Sequence, residues 1–73
     1  MPKLPTLKPK QVLKKLKKLG FIKDHTSGSH IIMYHPVNKK RAVIPYHLKD
    51  IPKGTLASLL READISRDEF IKA

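Results

Sequence analysis

The chain reads as a small α+β domain with the element order α-β-β-β-α and a short helix at its C-terminal end. Three observations predict this class. Apolar residues recur at helical spacing near both ends, short β-branched and aromatic runs fill the middle, and the links between those runs are too short for crossover connections. Three strands joined in that way form an antiparallel meander, and two helices then cover one face while the other stays open to a partner. At 73 residues the chain buries only about 60% of its unfolded surface. One domain of modest stability is expected, with no room for a separate cofactor domain.

Each element has its own warrant. Met1 to Leu7 contains Pro2 and Pro5, which interrupt a helix, so residues 1–7 read as a flexible N-terminal arm before a single domain over residues 8–73. Pro9 suits a first helical turn, and Val12, Leu13, Leu16 and Leu19 form an apolar stripe closed by Gly20. Phe21–Asp24, His30–His35 and Arg41–Ile44 read as the three strands. Gly28 between two serines gives the first link the φ freedom of a tight turn, and Pro36 to Lys40 has the length of a hairpin loop. Pro45, with no N–H to donate, ends the third strand before a loop that carries His47. Ile51, Leu56, Leu59, Leu60 and Ala63 then mark a second helix with Pro52 in its first turn. Gly54 in that turn implies either a close backbone approach or a start nearer Thr55. Ser66-Arg67-Asp68-Glu69 has capping-box spacing, and Phe70 and Ile71 give a last turn something to bury.

Composition narrows the function. The absence of cysteine excludes disulfides, iron–sulfur clusters and thiolate zinc sites and fits a reducing cytoplasm. The longest apolar run, Ile31 to Tyr34, is far short of the roughly 20 residues of a membrane helix, and the lysine-rich start lacks the apolar centre of a secretion signal. A soluble cytoplasmic protein without a membrane partner is expected. The net charge of +10 is one-sided: residues 1–20 carry seven lysines and no acid, whereas residues 51–73 balance four bases with four acids. Lys10, Lys14 and Lys18 repel one another at i,i+4 spacing, a cost that a plain solvated helix surface avoids. A nucleic acid, an acidic membrane surface or an acidic protein would meet such a face, and charge alone does not choose among them.

The segment Thr26-Ser27-Gly28-Ser29-His30-Ile31-Ile32-Met33-Tyr34-His35-Pro36 is the one that promises chemistry. It runs a turn directly into a strand whose first residue is His30. Histidine, with an ordinary pKa of about 6.5, both gives and takes protons near neutrality. The other histidines carry less. His35 precedes a proline at a strand end, His25 falls in a turn, and His47 could lie near either end of the sheet. His30 and His35 are an odd number of residues apart and so point to opposite faces of a regular strand, which argues against a shared metal.

Gly28-Ser29-His30 with Ile31 to Pro36, then Val43-Ile44-Pro45-Tyr46-His47, then Lys53-Gly54-Thr55-Leu56, then Leu59-Leu60-Arg61-Glu62-Ala63 before Ile65-Ser66, resemble the HicA family of toxin ribonucleases. The similarity spans roughly Lys8 to Ile71, and four blocks in order with matching gaps are far more specific than a lone Gly-Ser-His. The resemblance implies a fold like the double-stranded-RNA-binding domain, a ribosome-independent mRNA-cleaving activity, and neutralisation by a HicB antitoxin encoded alongside. The family's catalytic histidine falls on His30. Asp64 departs from the pattern, since relatives commonly have glycine after the second helix; its short side chain tolerates the left-handed conformation, so a slightly poorer cap is expected.

RNA carries its own nucleophile, the 2′-hydroxyl, so the implied chemistry needs a proton acceptor, a proton donor and cations, with no metal and no small-molecule cofactor. His30 is the expected general base or the acid for the leaving oxygen. Gly28 and Ser29 are candidates for positioning a phosphate, Lys14, Lys18, Lys39, Lys40 and Arg41 for counter-charge, and His47 for a second proton-transfer group. Two rivals stand beside this reading: a non-catalytic basic RNA-binding module, which would bind without chain scission, and a basic partner of an acidic regulator. The few aromatics, Phe21, Tyr34, Tyr46 and Phe70, argue against a base-stacking platform and for weak cleavage specificity.

Overall fold

The chain runs α1 (Pro9–Lys18), β1 (Ile22–Ser27), β2 (His30–Tyr34), β3 (Arg41–Pro45), α2 (Lys53–Glu62) and α3 (Arg67–Lys72) in a computed structural model that describes residues 6–73. The predicted α+β order is the observed one. Of the expected N-terminal arm, residues 1–5 lie outside the described residues. Leu7 is half-buried and pairs with Ile51, whose N–H donates to the Leu7 carbonyl at 2.8 Å.

The three strands form one antiparallel sheet in the order β1-β2-β3. β1 extends three residues past the expected Asp24 end, to Ser27. His25, Thr26 and Ser27 are exposed like the rest of this edge strand, so no apolar alternation marks them as a strand. Asp24 is a bulge: Lys23 pairs with Met33 and His25 with Ile32, which leaves the aspartate unopposed. The longer β1 shrinks the first link to Gly28 and Ser29, since Ser27 pairs directly with His30.

Side chains alternate across the sheet. Met33, Ala42 and Ile44 turn to the covered side and join Val12 and Leu16 of α1, Leu56, Leu59 and Leu60 of α2, and Phe70 of α3 in one core. The opposite face is uncovered. It carries His30, Ile32 and Tyr34 of β2 with their register partners Pro45, Val43 and Arg41 of β3, and Val43 is 41% exposed.

The helix ends follow local chemistry. α1 and α2 finish in the same pattern of paired hydrogen bonds. Phe21 N–H reaches Leu16 O and Gly20 N–H reaches Lys17 O, while Ile65 N–H reaches Leu60 O and Asp64 N–H reaches Arg61 O. The left-handed position is Gly20 in the first (φ +98°) and Asp64 in the second (φ +58°); the aspartate accepts the conformation as expected. Ser66 and Glu69 close the predicted capping box, Glu69 N–H donating to Ser66 Oγ at 3.1 Å. Gly54 is the second residue of α2, and a Cβ there would meet nothing within 4 Å. Neither expected reason for that glycine therefore holds.

α3 is held from the far end of the chain. Lys15 Nζ donates to the carbonyl oxygens of Phe70, Ile71 and Ala73 at 3.4, 3.4 and 3.1 Å and lies 5.5 Å from the centre of the Phe70 ring. A cation at a helix C-terminus meets the negative end of its dipole. One of the five α1 lysines is thus structural.

Candidate active site

The β1–β2 turn positions His30. Gly28 has φ +58° and Ser29 does not share that sign, the pattern of a two-residue type II′ hairpin that carries glycine at its first position. Nothing lies within 4 Å of where a Gly28 side chain would begin, so backbone conformation, not space, selects glycine here. The turn leads straight into His30, which is exposed on the open face.

His47 arrives from β3. That strand stops at Pro45, opposite His30, and the chain then bends so that Leu48 N–H reaches Pro45 O at 3.3 Å while Tyr46 N–H donates to Ser29 O at 2.8 Å. These two bonds fix the bend against the hairpin tip. The result is a pair of imidazoles whose ring centres are 5.5 Å apart, inclined at 65°. Both side chains are solvent-exposed, and among the described residues neither ring is hydrogen-bonded to another side chain or to backbone.

A shallow hollow of about 290 Å³ adjoins the pair, lined by Thr26, Gly28, Ser29, Ile31, Tyr46 and His47. Tyr46 is 43% exposed. His47 belongs both to this hollow and to the imidazole pair.

The remaining histidines are occupied. His35 Nδ1 accepts from the N–H groups of Val37 and Asn38 at 3.2 and 3.3 Å, and its ring meets Phe21 edge-on at 5.3 Å. His25 Nδ1 lies 3.1 Å from Asp24 Oδ2, to which Arg41 donates at 3.0 Å. The Arg41 hydrogen bond first, and that of His25 second, hold the Asp24 carboxyl below its ordinary 3.8. Among the described residues no group of three or more histidine, aspartate or glutamate side chains converges in a way that would hold a metal ion.

Of the nine candidate residues, the fold gathers His30, His47, Gly28 and Ser29 at one end of the sheet. It places the cations elsewhere. Lys14 and Lys18 are exposed on α1, in the helical layer behind the sheet, because the stripe opposite them packs onto the covered face. Lys39 and Lys40 sit in the β2–β3 loop at the other end of the sheet, with Lys39 in the left-handed conformation at φ +64°. Arg41 faces Tyr34, four residues along β2 from His30, and is committed to Asp24. Sequence reasoning missed the Asp24–Arg41 pair, which the bulge creates, and the placement of Tyr46 beside His47 in the hollow, which only the bend after Pro45 reveals.

The chain is thus a compact, strongly basic α+β protein with two exposed imidazoles at a hairpin tip. The family model described as the HicA toxin of bacterial toxin–antitoxin systems matches residues 9–65. The chain belongs to the HicA toxin family, and is therefore a toxin of a toxin–antitoxin system. No curated protein matches it significantly. No helix among the described residues is long and apolar enough to cross a membrane.

Proposed function

We propose that this toxin is a metal-independent endoribonuclease that cleaves mRNA in the cytoplasm and is neutralised by a HicB-type antitoxin. The observation that carries the reading is the exposed His30–His47 pair at 5.5 Å. One imidazole takes the proton of the RNA 2′-hydroxyl as its oxygen bonds to the adjacent phosphorus. The other, protonated, gives its proton to the 5′-oxygen as the P–O5′ bond breaks. The products are a 2′,3′-cyclic phosphate and a free 5′-hydroxyl, and the two rings have exchanged protonation states. His30, anchored by its strand, is the principal catalytic residue. His47 is the second proton-transfer group, and the turn at Gly28 and Ser29 positions the phosphate.

The net charge of +10 supports a polyanionic substrate even though the named cations are dispersed. A field spread over both layers draws RNA in from several directions, and affinity should fall steeply with salt as counterions are released. The open sheet face, with Val43 41% exposed two residues along β3 from the site and Ile22 46% exposed at the far end of the sheet, supports an antitoxin that neutralises by covering it.

The test is cleavage of single-stranded RNA by purified protein in EDTA, with His30→Ala as the comparison. Loss of the imidazole should lower the rate by about 10²–10⁴-fold while leaving the thermal midpoint nearly unchanged, because the ring is exposed. Full activity in that variant would refute the assignment. RNA bound without scission by the wild-type chain would leave the binding-module reading in its place.

A further inference from the structure

We infer that the hollow beside His47 is a subsite for a single nucleobase of the RNA, the one adjoining the phosphate held between His30 and His47, and that Tyr46 is its principal contact. The inference rests on the ribonuclease reading and deepens it by naming what selects the substrate.

Four observations carry it. The hollow meets the imidazole pair at His47, which lines it and whose ring centre is 5.5 Å from that of His30, and it curves round the hairpin tip to Thr26 and Ile31 on the side of the sheet opposite His30. Its volume of about 290 Å³ falls at the lower bound of small-molecule pockets, roughly 300–1,000 Å³, so it suits one flat ring system. Ile31 is half-buried and supplies an apolar wall, while Tyr46, 43% exposed and with its backbone N–H donating to Ser29 O, offers an accessible aromatic ring. The hydroxyl groups of Thr26 and Ser29 at the margin each provide one donor and two acceptor lone pairs for a base edge.

The chemistry matches a base better than a phosphate. None of the residues around the hollow is a lysine or arginine, which leaves the anion to the imidazoles. Base–aromatic stacking tolerates every base, so Tyr46 supplies affinity and the two hydroxyls a modest preference. One such subsite differs from the multi-aromatic platforms that read several bases. It confines selectivity to one nucleotide.

The experiment uses the full chain and two kinds of RNA. In the binding arm, a 2′-O-methyl oligonucleotide that cannot be cleaved is titrated into wild type, Tyr46→Ala and Tyr46→Phe. Tyr46→Ala should weaken binding by about 5- to 100-fold, Tyr46→Phe should retain it, and an otherwise identical oligonucleotide stripped of its bases should not distinguish the three proteins. In the cleavage arm, a single abasic position is moved through a short substrate. The abasic nucleotide should raise KM at one position flanking the cut and leave kcat within a few-fold, and Tyr46→Ala should erase that dependence. Equal binding by Tyr46→Ala and wild type, or an abasic scan with flat KM, overturns the subsite and leaves the nuclease reading intact. Absence of cleavage alongside Tyr46-dependent binding would do the reverse.

Discussion

The four histidines divide into two pairs, and the division follows their surroundings. At the β1–β2 tip, His30 and His47 face each other across 5.5 Å with both rings in solvent. Away from that tip, His35 is bonded to two backbone N–H groups and stacked edge-on against Phe21, and His25 shares Asp24 with Arg41. A ring whose nitrogens are engaged by the protein contributes to folding and is spoken for. A ring with no partner contributes little to folding, and its nitrogens remain available to a substrate. The same side chain is thus engaged by the protein in one setting and left open to a ligand in the other.

The strongest way to break this contrast is through Gly20. A Cβ at that position would lie 2.6 Å from His35 Nε2, and the residue's φ is +98°, so Gly20→Ala meets both backbone strain and a clash. The expected loss is roughly 2–4 kcal/mol, read as a shift in the urea midpoint. Combining it with His35→Ala should recover the steric part and leave the conformational part. If the single variant is as stable as wild type, His35 is not packed against the end of α1, and its separation from the exposed pair fails.

A smaller effect sharpens the comparison. His35→Ala removes an edge-on aromatic contact and should cost about 1 kcal/mol. His30→Ala, at an exposed position where the ring has no hydrogen bond and meets only the equally exposed His47 among the described residues, should fall within about 0.5 kcal/mol of wild type. The two variants invert in activity, with only the His30 change expected to abolish cleavage. Equal stability losses would mean that His30 is doing structural work as well.

Much of this was legible from residue order. Of the helical stripe Val12, Leu13, Leu16 and Leu19, Val12 and Leu16 are fully buried and Leu13 and Leu19 half-buried, because burial of one face is what that spacing encodes. His30 stood out because a Gly-Ser turn must present the next residue at a strand start. The rest depended on pairing across distance. His47 becomes a neighbour of His30 only through the Pro45–His30 register and the Tyr46–Ser29 hydrogen bond, and Arg41, at the far end of the same face, is bonded to a residue 17 positions away. The lysines of α1 announced their charge but not their direction. Their distance from the histidine pair follows from which side of the sheet the apolar stripe covers, and Lys15 turns out to clasp the end of α3.

The smallest predicted effect concerns His25 and its carboxylate. Asp24 is held below its ordinary 3.8, first by Arg41 and then by His25, so the folded state favours the ionised form more than the unfolded chain does. Its contribution is therefore present above that ordinary value and is lost as pH falls through the lower folded value. The ion pairs are exposed, so the contribution should be small and screened by salt. Wild type should hold a slightly higher thermal midpoint than Asp24→Asn at pH 6 in low salt. That margin should close as the pH is taken well below 3.8, and should shrink at pH 6 in 1 M sodium chloride. A margin that persists in acid would show that the bulge at Asp24 is maintained by backbone geometry and not by its charge. Arg41 would then count, with the lysines, among the cations that RNA could recruit.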